Sequence, residues 1–308
     1  MSFLGVFGHV VLDYILRVPR LPEPDMSIQV TARKRHFGGT GGNLARGAGR
    51  LGVETALAAL VGEDFPSDYR EALEGDGVDI TDLHFVAEHR TPTAWIFSDP
   101  QDRQVAVIDQ GPMDDAAAFA LPRHTVETSE WIHLGTGQPK FLREVLSLAR
   151  EGGKRVAFDP SQEIHYRYDA GSFRALVVGI DLFFGNEREL KAALDYLRLD
   201  HAREMLSSVG TLVATRGAEG SVIYSEDRVW KIPAIPPRAK VDVTGAGDAY
   251  RAGFYAGLQR GLELPRCGLL GASVASFSME TEGPQEGLPR WREAEELAAR
   301  FENKVAEA

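Results

Sequence analysis

Short apolar runs rich in strand-forming residues alternate along this chain with amphipathic stretches of helical period. The runs include Leu4-Gly5-Val6-Phe7, Trp131-Ile132-His133-Leu134, Arg155-Val156-Ala157-Phe158 and Leu182-Phe183-Phe184. Helices are expected near 42–51, 66–75, 139–151, 187–196, 245–260, 264–279 and 290–303. A strand that is apolar at consecutive positions must be buried on both faces, which a sheet covered by helices provides. The alternation therefore predicts an α/β fold with a mostly parallel central sheet. At 308 residues and 44% hydrophobic content, the chain suffices for one large domain spanning 1–308.

Two segments break the rhythm. Residues 12–35 and 86–112 carry alternating strands, as in Tyr14-Ile15-Leu16-Arg17-Val18 and Thr93-Ala94-Trp95-Ile96-Phe97, with no helix between them. Neither buries a core by itself, so they are expected to pair as a small β lid over the main domain.

Charge and composition exclude several function classes. A net charge of −11 without a basic run argues against a nucleic-acid surface. No apolar stretch reaches membrane-spanning length and the start lacks a basic leader, so a cytoplasmic location is expected. Cys267 is the only cysteine, which rules out an intrachain disulfide or a cysteine zinc site. Asparagine occurs only at 43, 186 and 303, so each one merits inspection.

Ligands of open parallel sheets bind beyond the carboxyl ends of the strands, where Asp159, Asn186 and the 242–248 turn are expected. In Asp242-Val243-Thr244-Gly245-Ala246-Gly247-Asp248, small residues let backbone N–H groups approach an anion. The following helix would point its positive end there. A carboxylate at that joint repels an anion, so Asp248 is suited to take a proton from a hydroxyl attacking phosphorus. An ordinary turn and helix start would use the same residue types.

Four further groups carry two readings each. Gly38-Gly39-Thr40-Gly41-Gly42-Asn43 could bring amides to a hydroxylated ligand or merely start a helix. Asp13 lies in an apolar run, where it needs a partner such as a pair of sugar hydroxyls unless it faces solvent. Asn186 and Glu189 suit either a helix cap or a magnesium–water network. Thr215-Arg216-Gly217-Ala218-Glu219-Gly220 is either a nucleotide-phosphate loop or a hairpin turn.

In this order the glycine pair before Asn43, Asn186-x-x-Glu189, the 215–220 turn and the 242–248 signature resemble the ribokinase-like (PfkB) sugar and nucleoside kinases. The resemblance spans nearly the whole chain. It implies a three-layer α/β core with a β lid and ATP-dependent phosphorylation of a primary hydroxyl. Asp248 matches the catalytic base and Gly245, Ala246 and Gly247 the anion hole. Asn186 and Glu189 match the Mg²⁺-associated motif, while Thr215, Arg216, Gly217, Gly220 and Thr244 fall at nucleotide-binding positions. A monovalent cation such as K⁺ is implied near the turn, with loop 277–286 a candidate for part of its site.

Several strings, among them Asp64–Arg70, Asp159-Pro160-Ser161-Gln162, Asp248–Phe254 and Glu280–Glu286, are most similar to bacterial adenosine kinases and archaeal nucleoside kinases of this family. That similarity implies ribose held by Asp13, Gly39 and Asn43, Gln162 near the nucleoside, and Ile96 and Ile108 against the base. Aromatic residues usual at the last two positions are absent here, Val243 replaces a threonine and Glu163 a glutamine. Adenosine is the leading acceptor expected; a sugar kinase and a non-catalytic nucleotide-binding protein are the alternatives. The lid could serve as an exposed cover or as a homodimer surface.

Overall fold

The computed structural model describes residues 1–308 apart from 102, 227 and 308; residue 102, within the second lid segment, lies outside the described residues. The strands are β1 (Ser2–Phe7), β2 (Val11–Arg17), β3 (Ala32–Gly38), β4 (Thr55–Gly62), β5 (Val78–Asp79), β6 (Leu83–Val86), β7 (Thr93–Ser98) and β8 (Gln104–Asp109). They continue with β9 (Ser129–Leu134), β10 (Arg155–Phe158), β11 (Ile180–Asn186), β12 (Val209–Thr215), β13 (Ser221–Ser225), β14 (Arg228–Ile232) and β15 (Ala306–Glu307). The helices are α1 (Thr40–Arg50), α2 (Ser67–Gly75), α3 (Arg123–Thr128), α4 (Pro139–Glu151), α5 (Ala170–Val177), α6 (Glu187–Leu197), α7 (Ala246–Gln259), α8 (Leu264–Ser278) and α9 (Trp291–Ala299).

The central sheet runs β15-β14-β13-β12-β11-β10-β9-β1-β4-β5, with β6 also on β4. From β12 to β5 the pairing is parallel, and β13, β14 and β15 complete one edge antiparallel. Strand alternation divides the apolar residues between two layers. Leu4 and Val6 of β1, Leu182 and Phe184 of β11 and Val213 of β12 pack with α1, α2, α7, α8 and α9. Phe7, Phe183 and Leu212 point to the other face, against α3, α4, α5 and α6. Both faces of the central strands are thus dry, which is why their runs are apolar. Cys267 of α8 is fully buried, and burial pushes its thiol up to about 12.

A second sheet has the order β3-β2-β7-β8. It gathers strands from the two segments that broke the helical rhythm, although Val86, at the start of the second, belongs to the main sheet through β6. β2–β3 and β7–β8 are antiparallel while β2–β7 is parallel, so this small sheet is mixed. Among the described residues no helix is long and apolar enough to cross a membrane.

Candidate active site

The turn before α7 is organised by one side chain. Asp242 Oδ1 accepts from Thr244 N–H (2.9 Å) and the Thr244 hydroxyl (2.8 Å), and its Oδ2 accepts from Gly283 N–H (3.0 Å). These bonds hold the Asp242 carboxyl below its ordinary range despite partial burial, which acts in the opposite direction. Gly245 caps the helix in the left-handed region at φ 73°, and a Cβ there would sit 2.4 Å from Cβ of Pro284. Both facts require glycine. Loop 277–286, anticipated beside this turn, does pack on it. The first i to i−4 bond of α7 runs from Ala249 N–H to Gly245 O (2.9 Å), so the N–H groups of Gly247 and Asp248 precede the helical ladder. Ala246 N–H closes the turn on Val243 O (3.2 Å).

Asp248 enters the first turn of α7 and meets Asn43 of α1, whose Nδ2 donates to Asp248 Oδ2 at 2.8 Å. Gly39 caps the start of α1, with φ 84° and no room for a side chain, since a Cβ would lie 2.4 Å from His9 O. Asp13 of β2 is 8% exposed, so the solvent-facing reading of this residue fails. No hydrogen bond to its carboxylate is found among the described residues. Burial pushes both carboxyl groups up to about 7. For Asp13 the charges of Asp248 and Asp242 add to burial. For Asp248, Arg251 and the Asn43 hydrogen bond pull downward while Asp159 and Glu189 push upward. The fold thus brings Asp13, Asn43, Asp248 and the 242–248 turn to one place.

Arg251 was not anticipated as a site residue. It is 6% exposed and pairs with Asp159, its guanidinium donating to Oδ1 at 2.9 Å and contacting Oδ2. It also lies 5.6 Å from the ring of Phe184. Burial acts to lower its pKa, but the charges of buried Asp159 and Glu189 and of partly buried Asp248 outweigh burial and raise it. Without this cation they would repel one another and any incoming phosphate. The signal was its position three residues after Asp248, on the same helical face.

Asn186 and Glu189 form a reciprocal cap on α6. Asn186 Oδ1 accepts from the N–H groups of Arg188 (2.9 Å) and Glu189 (3.0 Å), and Glu189 Oε2 accepts from Asn186 N–H (2.7 Å). The cap is therefore real. Glu189 is also 5% exposed, its carboxyl pushed up by burial and then by Asp159. No cluster of three or more acidic, histidine or cysteine ligands occurs among the described residues. This oxygen donor set fits a cation that keeps most of its water and takes ligands from a nucleotide, as Mg²⁺ does.

The 215–220 segment is a hairpin turn between β12 and β13, with Thr215 opposite Ser221. Gly217 and Gly220 both have positive φ there. Arg216 donates from Nε to Glu187 (2.9 Å) and contacts Glu219 (2.8 Å) at the surface.

Register places Asp13, Ala94 and Ile108 in one row across the second sheet, with Ile15, Ile96 and Ala106 in the next row on that face. Ile108 is 46% exposed and Ile96 half-buried. Trp95 stands on the opposite face beside Tyr14 and Val107, away from the Asp13 side. Gln162 is exposed, whereas its neighbour Glu163 is buried. Burial pushes Glu163 up to about 7, although Arg167 (3.1 Å) and Gly137 N–H (2.7 Å) favour its charged form.

Comparison with known proteins decides the family. Residues 1–291 match the model of the pfkB family carbohydrate kinases. The chain belongs to this family. It is 40% identical over 290 residues to a nucleoside kinase of Methanothermobacter thermautotrophicus, covering 93% of this chain and 92% of that one. An ATP-dependent ribose-1-phosphate kinase of Halopiger xanaduensis is 28% identical, with 86% and 90% covered. The crystal structure of a nucleoside kinase of Methanocaldococcus jannaschii, described as an archaeal member of the ribokinase family, superposes with a TM-score of 0.89. Identity to it is 34%, covering 97% of this chain and 99% of that one. The pfkB chain described here therefore has the ribokinase-like fold and is a phosphotransferase with an alcohol acceptor.

Proposed function

We propose that this kinase transfers the γ-phosphoryl group of ATP to the 5′-hydroxyl of a nucleoside, with adenosine the leading acceptor and AMP its product. The observation that carries this reading is Asp248: a partly buried carboxylate at a helix N-terminus, held by Asn43 at 2.8 Å and pushed up to about 7. A base of that strength is half ready at neutral pH. Its place in a turn of backbone donors suits a reaction in which charge is spread over phosphoryl oxygens.

In the proposed step the 5′-oxygen attacks the γ-phosphorus, its proton passes to Asp248, and the bond from γ-phosphorus to the β–γ bridging oxygen breaks to release ADP. Backbone N–H groups of Gly245 and Gly247 hold the transferred phosphoryl oxygens, with Gly247 and Asp248 N–H ahead of the helical ladder, while Ala246 N–H, anticipated as a third donor, is engaged by Val243 O. Arg251 offsets the charge of Asp159 and Glu189 behind the turn. Asp13, Gly39 and Asn43 hold the ribose hydroxyls. The inner face of the second sheet closes over the base through Ile96 and Ile108, with Gln162 nearby, and that sheet is the lid. Thr244 and the 215–220 turn line the nucleotide side. Asn186 and Glu189 would hold Mg²⁺ through water, and the ion would supply charge neutralisation to the nucleotide phosphates.

The test is a coupled ADP-release assay with ATP across adenosine, inosine, guanosine, cytidine, free ribose, fructose and ribose 1-phosphate. A nucleoside is expected to give the highest kcat/KM. Ribose or ribose 1-phosphate exceeding every nucleoside would turn the assignment to a sugar kinase, and ligand binding without any product would turn it to a nucleotide-binding protein.

A further inference from the structure

Gln285 lies in the segment between α8 and α9, is 4% exposed, and makes three short hydrogen bonds. Its Oε1 accepts from Arg46 at 2.9 Å. Its Nε2 donates to Asn43 Oδ1 and to the Tyr69 hydroxyl, each at 2.8 Å. Arg46 is itself anchored, with Nε 2.8 Å from Asp76 Oδ2. The Tyr69 hydroxyl donates onward to Gly38 O at 2.8 Å.

The direction of this chain follows from the chemistry of its ends. A guanidinium has only donors, so the Gln285 atom facing Arg46 must be its oxygen. The amide nitrogen then faces Asn43, whose accepting atom must be Oδ1. That leaves the Asn43 NH₂ for Asp248, and an ionised carboxylate can only accept. Reversing either amide would put oxygen against oxygen in a buried site, where an unmatched polar pair is costly.

We propose that Gln285 is a positioning residue: it fixes the orientation of the Asn43 amide so that its NH₂ group is delivered to Asp248. The inference rests on the proposed roles of Asp248 as base and Asn43 as ribose-holding residue. A Gln285 that merely filled the core would matter for stability and not for the protonation of Asp248. The Asn43 bond favours ionised Asp248, so losing it moves the carboxyl further upward.

The test is a double-mutant cycle with Gln285→Glu, which keeps the acceptor for Arg46 and loses the donor to Asn43. With the fastest nucleoside among adenosine, inosine, guanosine and cytidine, kcat/KM should fall at least tenfold. The acidic limb of its pH profile should move to higher pH while KM for ATP stays within about twofold. In an Asn43→Ala background the same change should cost nothing more, because the group it acts through is gone. A multiplicative loss in that background, or an unchanged pH profile in the single variant, overturns the inference. Gln285→Met is read the same way should the glutamate variant not fold.

A readout independent of turnover uses the scarcity of asparagine. Selective ¹⁵N-asparagine labelling gives three side-chain NH₂ pairs, from 43, 186 and 303. The pair lost in Asn43→Ala should follow the titration of Asp248 in the unaltered protein and cease to do so in Gln285→Glu. Tracking it with full amplitude in that variant refutes the positioning role. Near-normal turnover in Asp248→Asn would instead defeat the base assignment, and the NMR titration would still decide whether Gln285 orients Asn43.

Discussion

The turn before α7 and the inner face of the second sheet border the same site but are built by opposite rules. At the turn, Asp242, Thr244, Asn43, Asp248 and Arg251 are each tied to another polar group by hydrogen bonds or ion pairs. Asn43 and Arg251 of that network are buried and the other three partly so, and Gly245 admits no other residue. Across the second sheet, Ile96 and Ile108 share a face with Asp13 while Ile108 is nearly half exposed. One region spends its sequence on fixing geometry before any ligand arrives. The other leaves apolar surface uncovered, which is consistent with a surface completed by the acceptor. Preorganised donors lower a reaction barrier, and apolar contact distinguishes acceptors by small increments. Substitutions in the two regions should therefore differ in size and in kind.

The largest effect is expected at Asp248. Asp248→Asn should lower kcat by about 10³-fold or more with nucleoside KM changed little, measured by steady-state ADP release. In the unaltered enzyme kcat/KM should climb with pH and level off above about 7, where Asp248 is ionised. The same variant should be more stable. A carboxyl whose folded pKa is raised from 3.8 to about 7 favours folding most below 3.8 and loses that stability as pH rises through 7. The gain in Tm from Asp248→Asn should thus be several degrees at pH 8 and roughly a third as large at pH 5.

Asp13 comes next, because it sits at the border of the two regions. Asp13→Asn keeps the shape but weakens charge-assisted bonds to vicinal hydroxyls, so nucleoside KM should rise about 10- to 50-fold with kcat nearly intact. A loss confined to kcat would move Asp13 from ribose binding to chemistry. The smallest change is expected on the second sheet: Ile108→Ala should raise nucleoside KM about threefold and leave KM for ATP alone. A larger effect on ATP than on nucleoside would erase the distinction between the regions.

The layered fold was legible because both sheet faces write themselves into apolar runs, as Leu182-Phe183-Phe184 shows by sending its middle residue to one layer and its outer pair to the other. Resemblance to the pfkB kinases was legible from the order of a few glycine- and asparagine-centred motifs. Pairings between distant segments were not. Arg251 meets Asp159 across 92 positions, and Gln285 meets Asn43 across 242. No local period encodes such contacts. The alternative readings also met different fates for physical reasons: Asn186 is a helix cap and 215–220 a hairpin, because backbone groups there need partners whatever the ligand does. Asp13 was ambiguous because strand alternation alone cannot tell which face another sheet or a helix will cover.

Cys267 makes the apolar face accessible to direct observation. The only thiol of the chain is fully buried and held at about 12, so at neutral pH it contains almost no reactive thiolate. The natural protein is thus a silent background for thiol chemistry. A cysteine introduced at exposed Val107, on the face of the second sheet opposite Asp13, would accept a fluorophore alone, and its emission would report in real time whether that sheet moves when acceptor and nucleotide arrive.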